Sequence, residues 1–327
     1  MTDPLTTSDL FRLTCVVPAY NEAAHLASFV CDLAACLNGI TPYFEILIID
    51  DGSTDQTAAL IKPILADCSA RYLALSRNFG KEAALSAGLD YARGDAVILI
   101  DGDYQHPLSL LPEMVALWRS GYDMVFGVIA NRDHESMLKR LGTHLLYRLL
   151  EGDSRFTIPR NAGDFRLLDR RVVNALKSLP ERNRFMKGLY AWVGFKSVAL
   201  PFIPLDRPSG SSSFDFSALK NLAITGVTAF TTLPLRIWSG IGAAISLTSV
   251  IYAAYVAIDT VVIGKTVPGW STLTVGLMFF SGVQLLSIGI LGEYLGRIYD
   301  EVKQRPLYLI AEDADNSRIG LKPGEKS

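Results

Sequence analysis

Two runs without a single charge, Ile237–Ile258 (22 residues) and Thr266–Gly292 (27 residues), constrain what this chain can fold into more than anything else in it. At roughly 1.5 Å per residue, a helix of either length crosses a hydrocarbon core of about 30 Å. Only Asp259–Lys265 separates them, so they read as a hairpin of two membrane spans. A buried helical hairpin in a soluble protein is the competing reading. Arg236 precedes the first run, and Arg297, Lys303 and Arg305 follow the second, which by the positive-inside rule puts both chain ends in the cytoplasm. Trp238, Tyr252, Tyr255 and Trp270 are candidate interface anchors. Gly292 and Gly296 form a GxxxG spacing, a pointer to a homo-oligomer.

The N-terminal part is of another kind. Apolar runs Leu13–Val17, Phe44–Ile49, Tyr72–Leu75, Ala96–Ile100 and Met124–Val128 alternate with helical spacings over His25–Leu37, Thr54–Ala66 (shortened or kinked at Pro63) and the stretch from Lys81 to Tyr91. Strands this apolar, alternating with helices, predict a mostly parallel α/β sheet covered on both faces. Three of them end in polar clusters: Pro18, Tyr20 and Glu22; Asp50 and Asp51; Asp101 and Asp103. In a parallel sheet those ends share one edge, where ligands bind. Asp101-Gly102-Asp103 puts two carboxylates on one short loop, which suits a hard divalent cation that also holds phosphate oxygens. A solvated Asp-Gly turn is the plainer reading of that tripeptide taken alone. No GxGxxG follows the first strand and no GxxxxGK[ST] occurs, so a dinucleotide fold and a P-loop are disfavoured.

The net charge of −2 gives no basic field for nucleic acid. The four cysteines, Cys15, Cys31, Cys36 and Cys68, have no CxxC spacing and read as reduced cytosolic thiols. Residues 1–12 lack the apolar stretch of a signal peptide.

The segments VVPAYNE, IIDDGSTDQT, SRNFGKEAALSAGL and LIDGDYQHP, in this order, resemble the GT-A glycosyltransferases of family 2. NAGDFRLLDRRVV, LPERNRFMKGL, WVGF and the closing GEYLGRIYDEVKQRPLY narrow the resemblance to the polyprenyl-phosphate glycosyltransferases, the group of dolichol-phosphate mannose synthase and the bactoprenol glucosyltransferases. It extends from about Leu13 to Tyr308. The resemblance implies a GT-A fold, a nucleotide-sugar donor, a polyprenyl-phosphate acceptor and Mg²⁺ or Mn²⁺ as cofactor. It puts Pro18, Tyr20 and Glu22 at the base and ribose, Asp51 at the base edge, and Lys81, Gly102 and Arg132 in the donor site; an Asx turn ahead of a helix is the competing reading of Asp51 taken alone. Asp101 and Asp103 would hold the metal, with Gln105 as a further oxygen ligand, and Asp164 would lie near the reacting sugar.

The resemblance also implies an acceptor-phosphate site at Arg207 and Ser212. The family pattern Arg-x-x-Gly-x-Ser-Lys-Tyr reads here as Arg207, Gly210, Ser212, Ser213 and Phe214, so the lysine is replaced by Ser213 and Lys187 and Lys220 are the candidates to substitute. Ser136–Leu150 reads as an amphipathic helix, its leucine stripe at Leu138, Leu141, Leu145 and Leu149 beside basic residues that include Arg140, a further candidate for the acceptor phosphate. It suits a core helix with a solvated face, or one lying on a membrane surface. A polyprenyl phosphate is already anionic, so it needs cations to position it more than a base to deprotonate it.

The expected organisation is a cytoplasmic catalytic domain over 1–214, a juxtamembrane helix over 215–233, two transmembrane helices over 234–296 and a cytoplasmic tail over 297–327, disordered from Ala311 to Ser327. The expected function is inverting transfer of a sugar, glucose from UDP-glucose first among them, to undecaprenyl or another polyprenyl phosphate at the inner-membrane face. The alternatives are transfer of an aminoarabinose-type sugar, an N-acetylhexosamine or mannose from GDP-mannose, or a catalytically silent nucleotide-binding scaffold.

Overall fold

Leu13–Ala19 forms β1, and its side chains enter two cores by turns: Leu13, Cys15 and Val17 one, Val16 the other. That alternation, both faces apolar, is what a strand buried between two helical layers requires. The computed structural model describes residues 11–130, 162–182, 184–205, 233–263, 269–317 and 319. After β1 come α1 (Leu26–Asn38), β2 (Phe44–Asp50), α2 (Thr57–Ile61), β3 (Ala70–Leu75), α3 (Lys81–Tyr91), β4 (Ala96–Leu99), α4 (Leu111–Arg119) and β5 (Met124–Ile129). Then follow β6 (Ala162–Asp169), α5 (Arg170–Ser178), α6 (Met186–Trp192), β7 (Ser197–Phe202), α7 (Leu233–Ile263), α8 (Trp270–Lys303) and β8 (Ile310–Asp315).

The strands form one sheet in the order β7-β5-β6-β4-β1-β2-β3-β8. β1 is parallel to β2 and β4, β2 to β3, and β5 to β7; β6 runs antiparallel to β4 and β5, and β8 antiparallel to β3. The sheet is mostly parallel, as the apolar runs predict. Because β1 lies between β2 and β4, the carboxyl ends of those three strands adjoin. Helices α1 and α4 pack on one face, through Phe29, Leu33 and Met114 among others, and α3, α5 and α6 on the other. Besides Leu85 and Leu89, the buried residues of α3 are small, Ala83, Ala84, Ser86, Ala87 and Gly88, and this lets it lie close against the sheet. A Cβ at Gly88 would come within 2.2 Å of Val16 Cγ1, so any larger residue there would push the helix off β1.

Two expectations are corrected. The helical spacing over Thr54–Ala66 gives an α-helix only at Thr57–Ile61; Pro63, which has no N–H to give, sits in a 3₁₀ turn over Lys62–Ile64. The tail expected to be disordered from Ala311 contains β8, which extends the sheet at its β3 edge, and Ile319 beyond it is buried. Charge pairing explains why an acidic strand docks there. Arg71 on β3 grips Asp313 with two hydrogen bonds of 2.9 and 2.6 Å, Arg93 reaches Asp315 at 2.7 Å, and Lys62 meets Glu312 at 2.8 Å. The segment leading to β8 is tied down as well: Arg182 N–H donates to Glu301 at 2.7 Å, and Tyr308 O–H to Asp90 at 2.7 Å.

The first uncharged run lies inside α7. Of the second, Trp270–Gly292 lies in α8, while residues 264–268 are outside the described ones. Trp238 N–H donates to Ser287 Oγ at 2.5 Å, joining the two helices. Among the described residues one stretch, Gly276–Lys303, is long and apolar enough to cross a membrane, with a mean hydropathy of 1.4. Helix α8 continues to Lys303, past the boundary at 296 expected for the spans. The expected helix over Ser136–Leu150 and the juxtamembrane segment 215–232 lie outside the described residues.

Arg71 is almost fully buried, so Arg71→Ala should cost roughly 2 kcal/mol through the lost charge-assisted pair. The check is the thermal midpoint of the detergent-solubilised protein, expected to fall by about 2–4 °C. An unchanged midpoint would mean that β8 contributes nothing to the fold.

Candidate active site

The site is assembled from the four loops that follow β1, β2, β3 and β4, and the first two are tied directly to each other. Asn21, in the left-handed region at φ 54°, donates its N–H to Ser53 Oγ at 2.9 Å and accepts from Thr54 N–H at 2.9 Å. Glu22 N–H donates to Thr57 Oγ at 3.0 Å, and Asp51 N–H to the Ala19 carbonyl at 2.9 Å. These bonds fix Pro18, Tyr20 and Glu22 relative to Asp51. Tyr20 stays 45% exposed, with its ring available at the rim.

Asp51 is buried, and its carboxylate is already engaged. One oxygen accepts Phe79 N–H at 2.7 Å and the other Gly80 N–H at 2.8 Å. Asp51 therefore organises the loop ahead of α3, and only its remaining lone pairs face the cleft. Burial pushes its pKa up, against the downward pull of those two amides.

The loop after β4 carries Asp101-Gly102-Asp103. It is anchored by Tyr104, a non-glycine residue at φ 59° whose O–H donates to Asp32 at 2.6 Å and whose ring meets Phe29 edge-on at 5.1 Å. Gly102 passes so close to α1 that a Cβ would come within 2.8 Å of Leu26 Cδ1. Gln105 N–H donates to Asp103 at 3.1 Å, and the Gln105 carbonyl accepts Leu205 N–H at 3.2 Å.

Lys81, at the start of α3, lies between two carboxylates. Its Nζ is 2.6 Å from Asp101 Oδ1 and 3.4 Å from Asp164 Oδ2. His106, stacked on Phe165, approaches Asp101 at 3.6 Å. Burial works to raise the pKa of Asp101, but Lys81 and His106 overcome it and hold the carboxyl well below its ordinary range. Glu82 is the opposite case. Burial, helped by the nearby Asp164, pushes it up to about 7, although Met186 N–H donates to it at 3.1 Å.

These groups bound a cleft of about 320 Å³, within the range of small-molecule sites. Its walls bring together Pro18, Tyr20, Glu22, Asp51, Lys81, Asp101, Gly102 and Asp103, all singled out in the sequence. Asn78, Gly80 and Ala84 also line it and carried no sequence signal beyond lying in the SRNFGKEAALSAGL segment. Asp164 sits behind Lys81, and Gln105 beside Asp103. Arg132, Arg140, Arg207 and Ser212 lie outside the described residues.

The donor set fits a hard divalent cation. Asp101, Asp103 and the Gln105 side-chain carbonyl offer oxygens only. Among the described residues no cluster of three or more His, Cys, Asp or Glu gathers into a closed metal cage. Mg²⁺ is commonly bound by one or two carboxylates plus substrate phosphates, and two carboxylates on one loop leave room for that.

Comparison with known proteins follows the same lines. The profile of Glycosyl transferase family 2 matches residues 14–177, and that of the GtrB C-terminal hairpin matches residues 233–298. An uncharacterized glycosyltransferase of Synechocystis is 44% identical over 92% of this chain and 95% of its own length. The SfII prophage-derived bactoprenol glucosyl transferase of Shigella flexneri is 43% identical over 91% of this chain and 97% of its own. The crystal structure of glucosyl-3-phosphoglycerate synthase from Mycobacterium tuberculosis, with Mn²⁺, UDP-glucose and phosphoglyceric acid, superposes with a TM-score of 0.46. It is 20% identical, covering 70% of this chain and 83% of that one, a likeness too distant to carry an argument.

Glu82 gives this site a pH signature. Because its folded pKa is raised from 4.5 to about 7, it favours the folded protein at low pH, and that contribution is lost as pH rises through about 7. Glu82→Gln keeps an acceptor for Met186 N–H and removes the titration. Its thermal midpoint should therefore fall less than that of the wild type between about pH 5 and pH 8. Parallel curves for the two proteins would contradict the assignment.

Proposed function

Since the chain belongs to glycosyl transferase family 2 and ends in the hairpin of the GtrB type, we propose that it transfers glucose from UDP-glucose to a polyprenyl phosphate at the cytoplasmic face of a membrane, with inversion at the sugar carbon. Relatives named bactoprenol glucosyl transferase, at 42–43% identity over more than nine-tenths of the chain, support glucose and that acceptor. The observation that carries the chemistry is the convergence of Asp51, Lys81, Asp101 and Asp103 on one cleft at the ends of β1, β2, β3 and β4.

In this reading Pro18, Tyr20 and Glu22 receive the base and ribose, and a remaining lone pair of Asp51 accepts an imide N–H such as that of uracil. Asp101 and Asp103, with Gln105, hold Mg²⁺ or Mn²⁺. The ion, when bound, supplies Lewis-acid neutralisation of the departing diphosphate. Arg132 is assigned to the same diphosphate. Asp164, held by Lys81, lies toward the sugar.

The acceptor brings its own negative charge, so the site needs cations to position it. Arg207 suits that task, because a guanidinium grips phosphate with two parallel bonds. Its place in the chain supports the assignment: Leu205, two residues earlier, donates its N–H to the Gln105 carbonyl of the metal loop. Ser212 and Arg140 are assigned to the same phosphate. Both helices α7 and α8 are read as spanning the membrane, which keeps the polyprenyl tail in the bilayer while its phosphate reaches the cleft.

Membranes containing the protein, given undecaprenyl phosphate and a panel of radiolabelled UDP- and GDP-sugars, should form a lipid-linked sugar from UDP-glucose far faster than from the others. Asp103→Asn should lower that turnover by about 10²-fold, a loss of roughly 3 kcal/mol of transition-state stabilisation. Excess EDTA should abolish it. Transfer from GDP-mannose in preference to UDP-glucose would contradict the donor, and full turnover in EDTA would contradict the metal.

A further inference from the structure

Lys81 stands where the physics of helices argues against a cation. It is the first residue of α3, and the N-terminus of a helix carries partial positive charge, which favours acids such as the neighbouring Glu82. What holds Lys81 there is a pair of carboxylates from outside the helix. Its Nζ lies 2.6 Å from Asp101 Oδ1, 2.8 Å from Asp101 Oδ2 and 3.4 Å from Asp164 Oδ2. Asp101 follows β4 and Asp164 lies in β6, the antiparallel neighbour in which Arg166 is paired with Leu99. The two carboxylates thus approach one another across adjacent strands, with the ammonium between them. Among the described residues the other oxygen of Asp164 is buried without a hydrogen-bond partner, and Lys81 is the cation that meets this carboxylate.

Both oxygens of Asp101 thus face the same ammonium, and His106 Nε2 lies 3.6 Å from Oδ2. A divalent cation that binds Asp101 competes with that ammonium for the charge of one carboxylate. We propose that Lys81 is a displaceable counter-ion of the cation site, holding Asp101 and Asp164 together until the metal arrives and setting how tightly the metal binds. This rests on the reading of Asp101 and Asp103 as metal ligands. Lys81 is a positioning residue in this scheme and is not itself a ligand.

A thermodynamic consequence follows from the charges. With the cation alone, metal and ammonium repel across a few ångströms, so binding is weak. A nucleoside diphosphate brings oxygens that accept from both, and Lys81, on the wall of the same cleft, can turn from Asp101 to a phosphate. Cation and nucleotide then bind cooperatively, and each raises the affinity for the other by the same factor.

The test is titration of the purified full-length protein with Mn²⁺, with and without UDP, followed by calorimetry or by the electron paramagnetic resonance of the free ion. In the wild type, UDP should tighten Mn²⁺ binding about tenfold or more. Lys81→Met should bind Mn²⁺ alone about tenfold more tightly than the wild type and lose most of the gain from UDP. Its thermal midpoint should be lower than the wild type's in EDTA and should rise further on adding Mn²⁺. Lys81→Arg, which keeps the charge, should retain weak binding and strong coupling. If Lys81→Met is recovered poorly, Lys81→Gln serves in its place, being neutral but still able to donate to Asp101. A neutral variant that binds Mn²⁺ alone no more tightly than the wild type overturns the counter-ion role while leaving the metal reading intact. A wild type that binds no Mn²⁺ with or without UDP overturns the metal reading and this inference with it.

Discussion

A carboxylate at the end of a buried strand is stable only where something positive or a hydrogen-bond donor meets it, and this sheet places several side by side. Asp51 is met by two backbone amides and Asp101 by Lys81. Each of these contacts joins a different loop to its neighbour, so neutralising the charge is also what shapes the cleft. The donor read into it adds a diphosphate to an edge already rich in negative charge. A site of this kind can work only if cations are placed among the anions, and the oxygen-only set on the Asp101 loop together with Lys81 meets that need.

The C-terminal part returns to the same sheet. From the end of α8 the chain is held by Arg182, then by Tyr308 on Asp90, and then becomes a strand of the sheet itself. Ser76 N–H donates to the Leu309 carbonyl at 2.9 Å, just ahead of the loop whose amides cap Asp51. The end of α8 is thus tied to the sheet, beside the cleft, by these hydrogen bonds and the β3–β8 pairing.

Much of this was legible in the sequence, for physical reasons. Strands buried on both faces are near-continuous apolar runs, so β1, β2 and β4 stood out, and polar residues directly after them marked one edge. The two uncharged runs marked α7 and α8. What was missed depends on partners far away in the chain. The sequence offers the base edge or an Asx turn ahead of a helix for Asp51, and nothing local shows that Phe79 and Gly80 will donate to it. The acidic stretch from Glu312 to Asp315 looked like a solvated tail because its partners, Lys62, Arg71 and Arg93, lie more than two hundred residues earlier. Tyr104 gave no signal, since its role is to hold a left-handed turn through a hydrogen bond to Asp32 on α1. The sequence resemblance puts Lys81 in the donor site, but its contact with Asp164 requires β6 beside β4, an antiparallel pairing that no local pattern encodes.

In the proposed reaction the carboxylates of the Asp101 loop and the donor diphosphate share one divalent cation, and the hyperfine coupling between Mn²⁺ and phosphorus-31 in the protein's complex with UDP reports on that sharing. If the cation is shared, protein-bound Mn²⁺ shows strong coupling to UDP phosphorus, and Asp101→Asn loses the bound ion. Mn²⁺ held by the wild-type protein without phosphorus coupling, or a coupled Mn²⁺–UDP complex bound undiminished by Asp101→Asn, would contradict it.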